Sequence, residues 1–191
     1  IKDHDIEWLS SDHAGHTLDL AREHSSRDNI IIGVGGDGTL NEVVNGVMAA
    51  EEKSVIGILP NGSGDDFARS NRIPRKVAEY AKLILNNSIK TIDIGKVENA
   101  EKSRFFANIS SIGLGGFVSQ TMDDIKGPLK YFRAVIGGFA KFDKPEITIE
   151  GRPLKCLSAA FCNASTFGGG MIIQPDAKID DGILHSAEIG D

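Results

Sequence analysis

Residues Asn29 to Gly46, NIIIGVGGDGTLNEVVNG, restrict the possible folds more than any other stretch of the chain. Ile30, Ile31 and Ile32 are a β-branched run of the kind that becomes a buried parallel strand. A loop follows, Gly33-Val34-Gly35-Gly36-Asp37-Gly38. Then Leu40, Val43, Val44, Val47 and Met48 recur at the i, i+3, i+4, i+7, i+8 spacing of one helix face. Strand, glycine loop and helix in that order can cradle phosphate. Glycine lets the backbone approach closely, and a helix N-terminus offers unpaired N–H groups and the positive end of its dipole. No Gly-Lys-Ser/Thr follows, which excludes a Walker A loop, and the G-x-G-x-x-G spacing also fits poorly. A carboxylate such as Asp37 among phosphate-binding glycines repels the ligand unless a divalent metal bridges them or it accepts hydrogen bonds from hydroxyl or amide groups. A tight turn with Asp as a local cap is the plainer alternative.

Two phrases favour the phosphate reading. GGDGTLNEVVNG, from Gly35 to Gly46, and PNGSGDDFAR, from Pro60 to Arg69, resemble the catalytic domain of the diacylglycerol kinase family, in particular its bacterial lipid kinases. GGDGT alone also occurs in NAD kinases, and a related loop in phosphofructokinases, so the second phrase discriminates. The segment SSDHAGHTLDLA is similar to the family's first nucleotide-contacting turn, where a hydroxyl residue sits five before the histidine; Ser11 is that residue here. PDAKIDDG, from Pro175 to Gly182, resembles a turn that in bacterial lipid kinases holds a magnesium ion away from the reaction centre.

The resemblance implies transfer of the γ-phosphate of ATP to a lipid hydroxyl, most simply turning diacylglycerol into phosphatidic acid. Ser11, Gly35, Gly36, Asp37, Gly38, Thr39, Leu40, Asn41, Gly62 and Ser63 are then nucleotide positions, with Asp37 reaching a catalytic Mg²⁺ directly or through water. The second Mg²⁺ falls to the Asp181 carboxylate and the backbone carbonyls of Lys178 and Ile183, a set of oxygen donors that suits this ion. A calcium loop or a plain turn is the alternative there. Where family members commonly carry Asn this chain has Asp65, whose added negative charge argues against direct phosphate contact. Arg69, Arg72, Arg75 and Lys76 supply basic groups nearby, or simply a solvated helix start.

The expected architecture is α/β plus β. A three-layer α/β nucleotide-binding domain, like that of NAD kinase and phosphofructokinase, occupies residues 1–90, and a mainly β-sandwich second domain occupies residues 91–191, with lipid entering between them. Ser54 to Leu59 is a second apolar strand leading into the Pro60 to Asp66 turn, so both glycine loops fall on the carboxyl rim of parallel strands. Ile6 to Leu9 reads as a strand, with Ser11 and Asp12 capping a helix to about Arg22. His13 and His16 on that helix lack a third metal ligand. Pro74 opens a helix striped by Val77, Tyr80, Ala81, Ile84 and Leu85. Strands are expected at Thr91 to Val97, Arg104 to Ser111, Glu146 to Ile149, Leu154 to Asn163 and Ile183 to Ile189. Between them, Lys126 to Lys144 forms an amphipathic helix. Its basic side, with Lys126, Lys130, Arg133, Lys141 and Lys144, suits an anionic membrane surface, and its apolar side suits packing on the β-domain.

A net charge of −6 favours no nucleic acid. Two cysteines, Cys156 and Cys162, rule out a disulfide framework and suit a reducing compartment. No apolar run approaches the roughly 20 residues of a membrane span. The expectation is a cytoplasmic protein associating peripherally with the inner face of the membrane, a homodimer being left open. The general base of these kinases belongs to an acidic motif beyond the PDAxxDDG turn, and their opening strand carries an Asn-Pro turn. Neither is seen here, so the chain is expected to be a partial kinase and a poor catalyst by itself. NAD kinase and a non-catalytic nucleotide-binding regulatory module are the alternatives.

Overall fold

The computed structural model describes residues 5–113 and 146–189. The amphipathic helix expected at Lys126 to Lys144 lies outside the described residues. The chain forms two compact units, Ile1–Asn108 with Asn163–Ile183, and Ile109–Cys162 with Leu184–Asp191. The boundary drawn near residue 90 marks where strands replace helices along the chain, whereas compactness assigns 91–108 and 163–183 to the first unit.

The first unit is built on two parallel strands, β1 (Ile30–Gly35) and β2 (Val55–Pro60), in register from Ile30 opposite Val55 to Gly35 opposite Pro60. Their carboxyl ends therefore coincide, and the Asn61 N–H donates to the Gly35 carbonyl at 2.9 Å. At the other end Ser25, Ser26 and Ser54 exchange hydroxyl and backbone hydrogen bonds that fix where both strands begin. Helix α1 (His16–Glu23) precedes β1, and α2 (Asp37–Ala49) follows it. Leu40, Val43, Val44 and Val47 of α2 are buried, as the helical spacing predicts. Gly46 lets α1 lie directly on α2, since a Cβ there would meet the Leu18 carbonyl oxygen at 2.3 Å.

After β2 come α3 (Asp66–Ser70) and α4 (Val77–Leu85), then the hairpin of β3 (Gly95–Glu98) and β4 (Ser103–Phe106). Asn45 of α2 clamps that hairpin by donating to the Phe105 carbonyl and accepting its N–H, both at 2.9 Å. Ala107, Ala164 and Ile179 join Leu40, Val44, Ile58 and Phe67 in one apolar cluster. This is the physical reason a late segment belongs to the early unit.

The second unit contains the hairpin of β6 (Glu146–Ile149) and β7 (Arg152–Lys155) and a three-stranded antiparallel sheet. That sheet places β8 (Ser158–Cys162) between β5 (Ile109–Gly113) and β11 (His185–Ile189). Ile149, Cys156 and Ala159 form its core with Leu154 and Phe161. Both cysteines are free, buried thiols, and burial pushes the Cys162 thiol up from its ordinary value.

Several local expectations change. Ile6 to Leu9 forms no strand, because among the described residues nothing pairs with it, and Ile6 and Trp8 are exposed. Helix α1 begins at His16 behind a left-handed Gly15 (φ 87°), so neither Ser11 nor Asp12 is its cap. β1 is not buried on both faces: Ile30, Ile32 and Val34 are exposed, while Ile31 packs against the buried side of α2. Pro74 lies in the turn before α4, whose N-cap is Lys76, and among the stripe residues only Tyr80 is fully buried. The absence of a long apolar run carries over: no helix among the described residues is long and apolar enough to cross a membrane.

Candidate functional site

Three loops of the first unit are tied in series by two carboxylates. Asp37 is the first residue of α2, and its Oδ2 and Oδ1 accept the N–H groups of Asp66 (3.0 Å) and Phe67 (3.1 Å) at the start of α3. A five-residue helix leaves its leading N–H groups without internal partners, and a carboxylate satisfies them while matching the helix dipole. Asp66 is buried in turn. Its carboxylate accepts the N–H groups of Gly169 (2.9 Å) and Gly170 (2.6 Å), and its carbonyl accepts the Thr166 hydroxyl. Gly168, Gly169 and Gly170 all have positive φ and form the turn between β9 (Thr166–Phe167) and β10 (Met171–Ile172). Asp37 is thus a cap, but one that reaches across to the second glycine phrase rather than serving its own turn.

The two glycine phrases also touch backbone to backbone. A Cβ on Gly62 would lie 2.5 Å from the Gly36 Cα, so neither loop could approach the other with a side chain present. Asp65 holds this loop in shape. It takes the left-handed conformation (φ 51°), which Asp tolerates better than most residues, and its Oδ1 accepts the Gly62 N–H at 2.9 Å. Arg75 pairs with Asp65 Oδ2 and donates to the Gly62 carbonyl. The negative charge that set Asp65 apart is therefore buried and neutralised, and the residue shapes the loop. Arg69 donates to the Gly64 carbonyl and lies beside Gly170.

The structure accordingly brings Gly35, Gly36, Asp37, Gly38 and Thr39 together with Gly62 and Ser63. Gly38 and Ser63 are exposed, and the Thr39 hydroxyl packs against Gly35. Leu40 sits below them as a packing residue, its side chain in the core and its N–H on the Gly36 carbonyl. Asn41 donates its amide to the Phe105 carbonyl at 3.1 Å. Ser11 is exposed in the segment before α1, which is held to α2 where the Gly15 N–H meets Glu42 Oε1 at 3.1 Å. Sequence reasoning missed the partners of Asp66 and Asp65. The run of three glycines after Phe167 was the available signal for the first, and Arg75 for the second.

The 178–183 turn is separately pinned. Asp181 Oδ1 accepts the Ile183 N–H at 3.0 Å, while Asp93 accepts the Gly182 N–H and gives its own N–H to the Ile179 carbonyl. Lys90 pairs with Asp180 at 2.9 Å. Lys178, Asp181 and Ile183 are exposed on this turn, and carboxylate and carbonyl oxygens are the hard donors that Mg²⁺ takes. Beside this turn is a polar cavity of about 220 Å³ lined by Ser70, Asn71, Lys90, Ser165, Lys178 and Asp180, among others.

Comparison with known proteins adds a lineage to this geometry. The profile of the diacylglycerol kinase catalytic domain matches residues 2–97, and that of the YegS C-terminal NAD kinase beta sandwich-like domain matches residues 108–189. A diacylglycerol kinase of Staphylococcus saprophyticus is 30% identical over 183 residues, covering 87% of this chain and 56% of the relative. One of Staphylococcus aureus (strain JH9) is 31% identical over 180 residues, covering 87% and 54%. A crystal structure of a diacylglycerol kinase from Bacillus anthracis str. Sterne superposes with a TM-score of 0.68 at 26% identity, covering 95% of this chain and 61% of that one. The chain thus spans little more than half the length of the curated relatives it matches.

Proposed function

Because this chain belongs to the diacylglycerol kinase catalytic-domain family, we propose that it serves ATP-dependent phosphorylation of a lipid hydroxyl, with diacylglycerol as acceptor and phosphatidic acid as product. It does so from the cytoplasm, at the inner face of the membrane. The observation that supports this best is the backbone contact between Gly36 and Gly62, which sets two glycine loops side by side at the carboxyl ends of parallel strands. Phosphoryl transfer is catalysed chiefly by positioning and charge stabilisation, and loops without side chains let backbone N–H groups come within reach of phosphate oxygens. Gly35, Gly36, Gly38, Thr39 and Ser63 hold the nucleotide phosphates in this reading, Gly62, its N–H kept by Asp65, lines the site with its backbone, and Ser11 borders the nucleotide from the side of α1.

Mg²⁺ supplies positive charge against the phosphates when bound. Asp37 would hold it directly or through water with the lone pairs its two N–H contacts leave over, and Lys178, Asp181 and Ile183 would hold a second, structural ion. For the latter, the parent is expected to melt higher in magnesium than in EDTA, and Asp181→Ala to lower the melting temperature in magnesium and abolish that difference. A variant that melts like the parent in both buffers removes the structural ion.

The test of function is transfer from γ-labelled ATP by the full-length protein offered mixed micelles of diacylglycerol, phosphatidylglycerol or sphingosine, with NAD in a parallel reaction. Labelled lipid is the expected product, and its identity names the acceptor. Label in NADP alone would replace this reading with an NAD kinase. ATP binding without any product would replace it with a nucleotide-binding regulatory module.

A further inference from the structure

The segment leading into α1 assembles a group of metal-ligating side chains of its own. Asp12 Oδ1 lies 2.7 Å from His16 Nδ1 and 3.1 Å from His13 Nδ1. The two imidazoles pack edge to face with centroids 4.7 Å apart, and the three ligand atoms all fall within 4.8 Å of one another. From sequence the two histidines lacked a third ligand, because Asp12 reads there as a helix cap. The left-handed Gly15 removes that objection by folding residues 12 and 13 back over the first turn of α1.

Asp12 faces His16 through two groups. Its backbone N–H lies 3.2 Å from His16 Nδ1, and its carboxylate lies 2.7 Å from the same nitrogen. Asp12 Oδ1 is shared with the Nδ1 of His13 at 3.1 Å. One carboxylate oxygen and two imidazole nitrogens therefore converge, a donor set that suits imidazole-binding divalent metals.

We propose that Asp12, His13 and His16 bind a divalent transition-metal ion of the Zn²⁺ type through two imidazole nitrogens and one carboxylate oxygen, leaving the remaining position to water or an incoming ligand. Tetrahedral bonds to N and O ligands of Zn²⁺ put the ligand atoms about 3.3 Å apart. The observed separations of 2.7 and 3.1 Å are shorter than that and the third pair lies within 4.8 Å, so side-chain rotation about Asp12 and His16 must open the cluster to admit the ion. Imidazole ligands favour Zn²⁺, Co²⁺, Ni²⁺ or Cu²⁺ over Mg²⁺, which separates this site from any magnesium used with nucleotide. The cluster is open, with the His13 and Asp12 side chains 67% and 79% exposed, so the ion exchanges with solvent rather than being trapped at folding. The Gly15–Glu42 hydrogen bond anchors the segment to α2, and a bound ion would stiffen residues 11–15 against that helix.

The test is calorimetric titration of the metal-free, untagged chain with Zn²⁺, repeated with Co²⁺ to read the ligand set from its visible absorption. One equivalent is expected to bind in excess Mg²⁺. His13→Gln and His16→Gln should each weaken binding by about tenfold or more, since losing even an outer partner of a metal ligand costs that much. His24→Gln, outside the cluster, should bind like the parent, and circular dichroism establishes that each variant is folded. Absence of saturable binding, displacement by Mg²⁺, or affinity unchanged in both folded cluster variants would overturn the site.

Discussion

Replacing Asp37 by alanine is expected to lower the unfolding free energy by about 2–4 kcal/mol, because two N–H groups lose a charged acceptor at a nearly buried helix start. Asp66 and Phe67, the donors, are 5% and 7% exposed, so water cannot fully replace the carboxylate. Phe67 also belongs to the main apolar cluster, and loosening α3 disturbs that packing as well. Asp37→Asn keeps one acceptor and presents an amide N–H₂ to the other donor, so it should fall between parent and alanine. Urea unfolding of the three proteins checks this. Alanine and parent midpoints that coincide would mean the carboxylate contributes nothing to the fold and acts on ligand alone. The stability difference must be measured before any loss of ATP-dependent transfer is assigned to chemistry, since the same residue is proposed to serve both.

The second large effect is at Gly62. An alanine Cβ there would stand 2.5 Å from the Gly36 Cα and 2.7 Å from Asp65 Oδ1. The nearest atom is backbone, which cannot rotate away, so the two glycine loops must separate. Overpacking of this kind costs about 1–3 kcal/mol, and here it also spoils the spacing between the proposed phosphate-binding N–H groups. ATP affinity and melting temperature should therefore fall together in Gly62→Ala. Gly38→Ala provides the contrast: a Cβ there meets nothing within 4 Å and lies inside α2, so folding should be unharmed or slightly strengthened. Equal melting temperatures for Gly62→Ala and the parent would show that the loop contact yields without cost.

Much of this arrangement was legible in the sequence because its causes are local. The spacing of Leu40, Val43, Val44 and Val47 specifies α2, and strand-like runs predict Glu146–Ile149 and most of β2. The glycine phrases were readable as partners because each follows a strand. What could not be read depends on residues far apart or on a single dihedral. Asp66 finds its glycines 103 and 104 residues later, and no periodicity links such positions. Arg75 could be read as a basic group for the nucleotide or as a solvated charge until the left-handed turn at Asp65 gave it a buried partner. The three isoleucines of β1 suggested burial on both faces, yet strand alternation leaves Ile30 and Ile32 outward. Asp12 was read as a helix cap because Gly15 was not recognised as the place where helical geometry begins.

The reach of Asp66 across more than a hundred residues also sets a schedule for the newborn chain. Its carboxylate, and the apolar pocket that receives Ala164 and Ile179, stay unfilled until the ribosome has delivered residues 164–179. The second unit's strands β5 to β8 are synthesised inside that interval, so the first unit must hold its glycine loops half-assembled while another unit is being made. Contacts of such separation slow folding, and here they delay completion of the two glycine loops until the segment around Gly169 and Gly170 has been made.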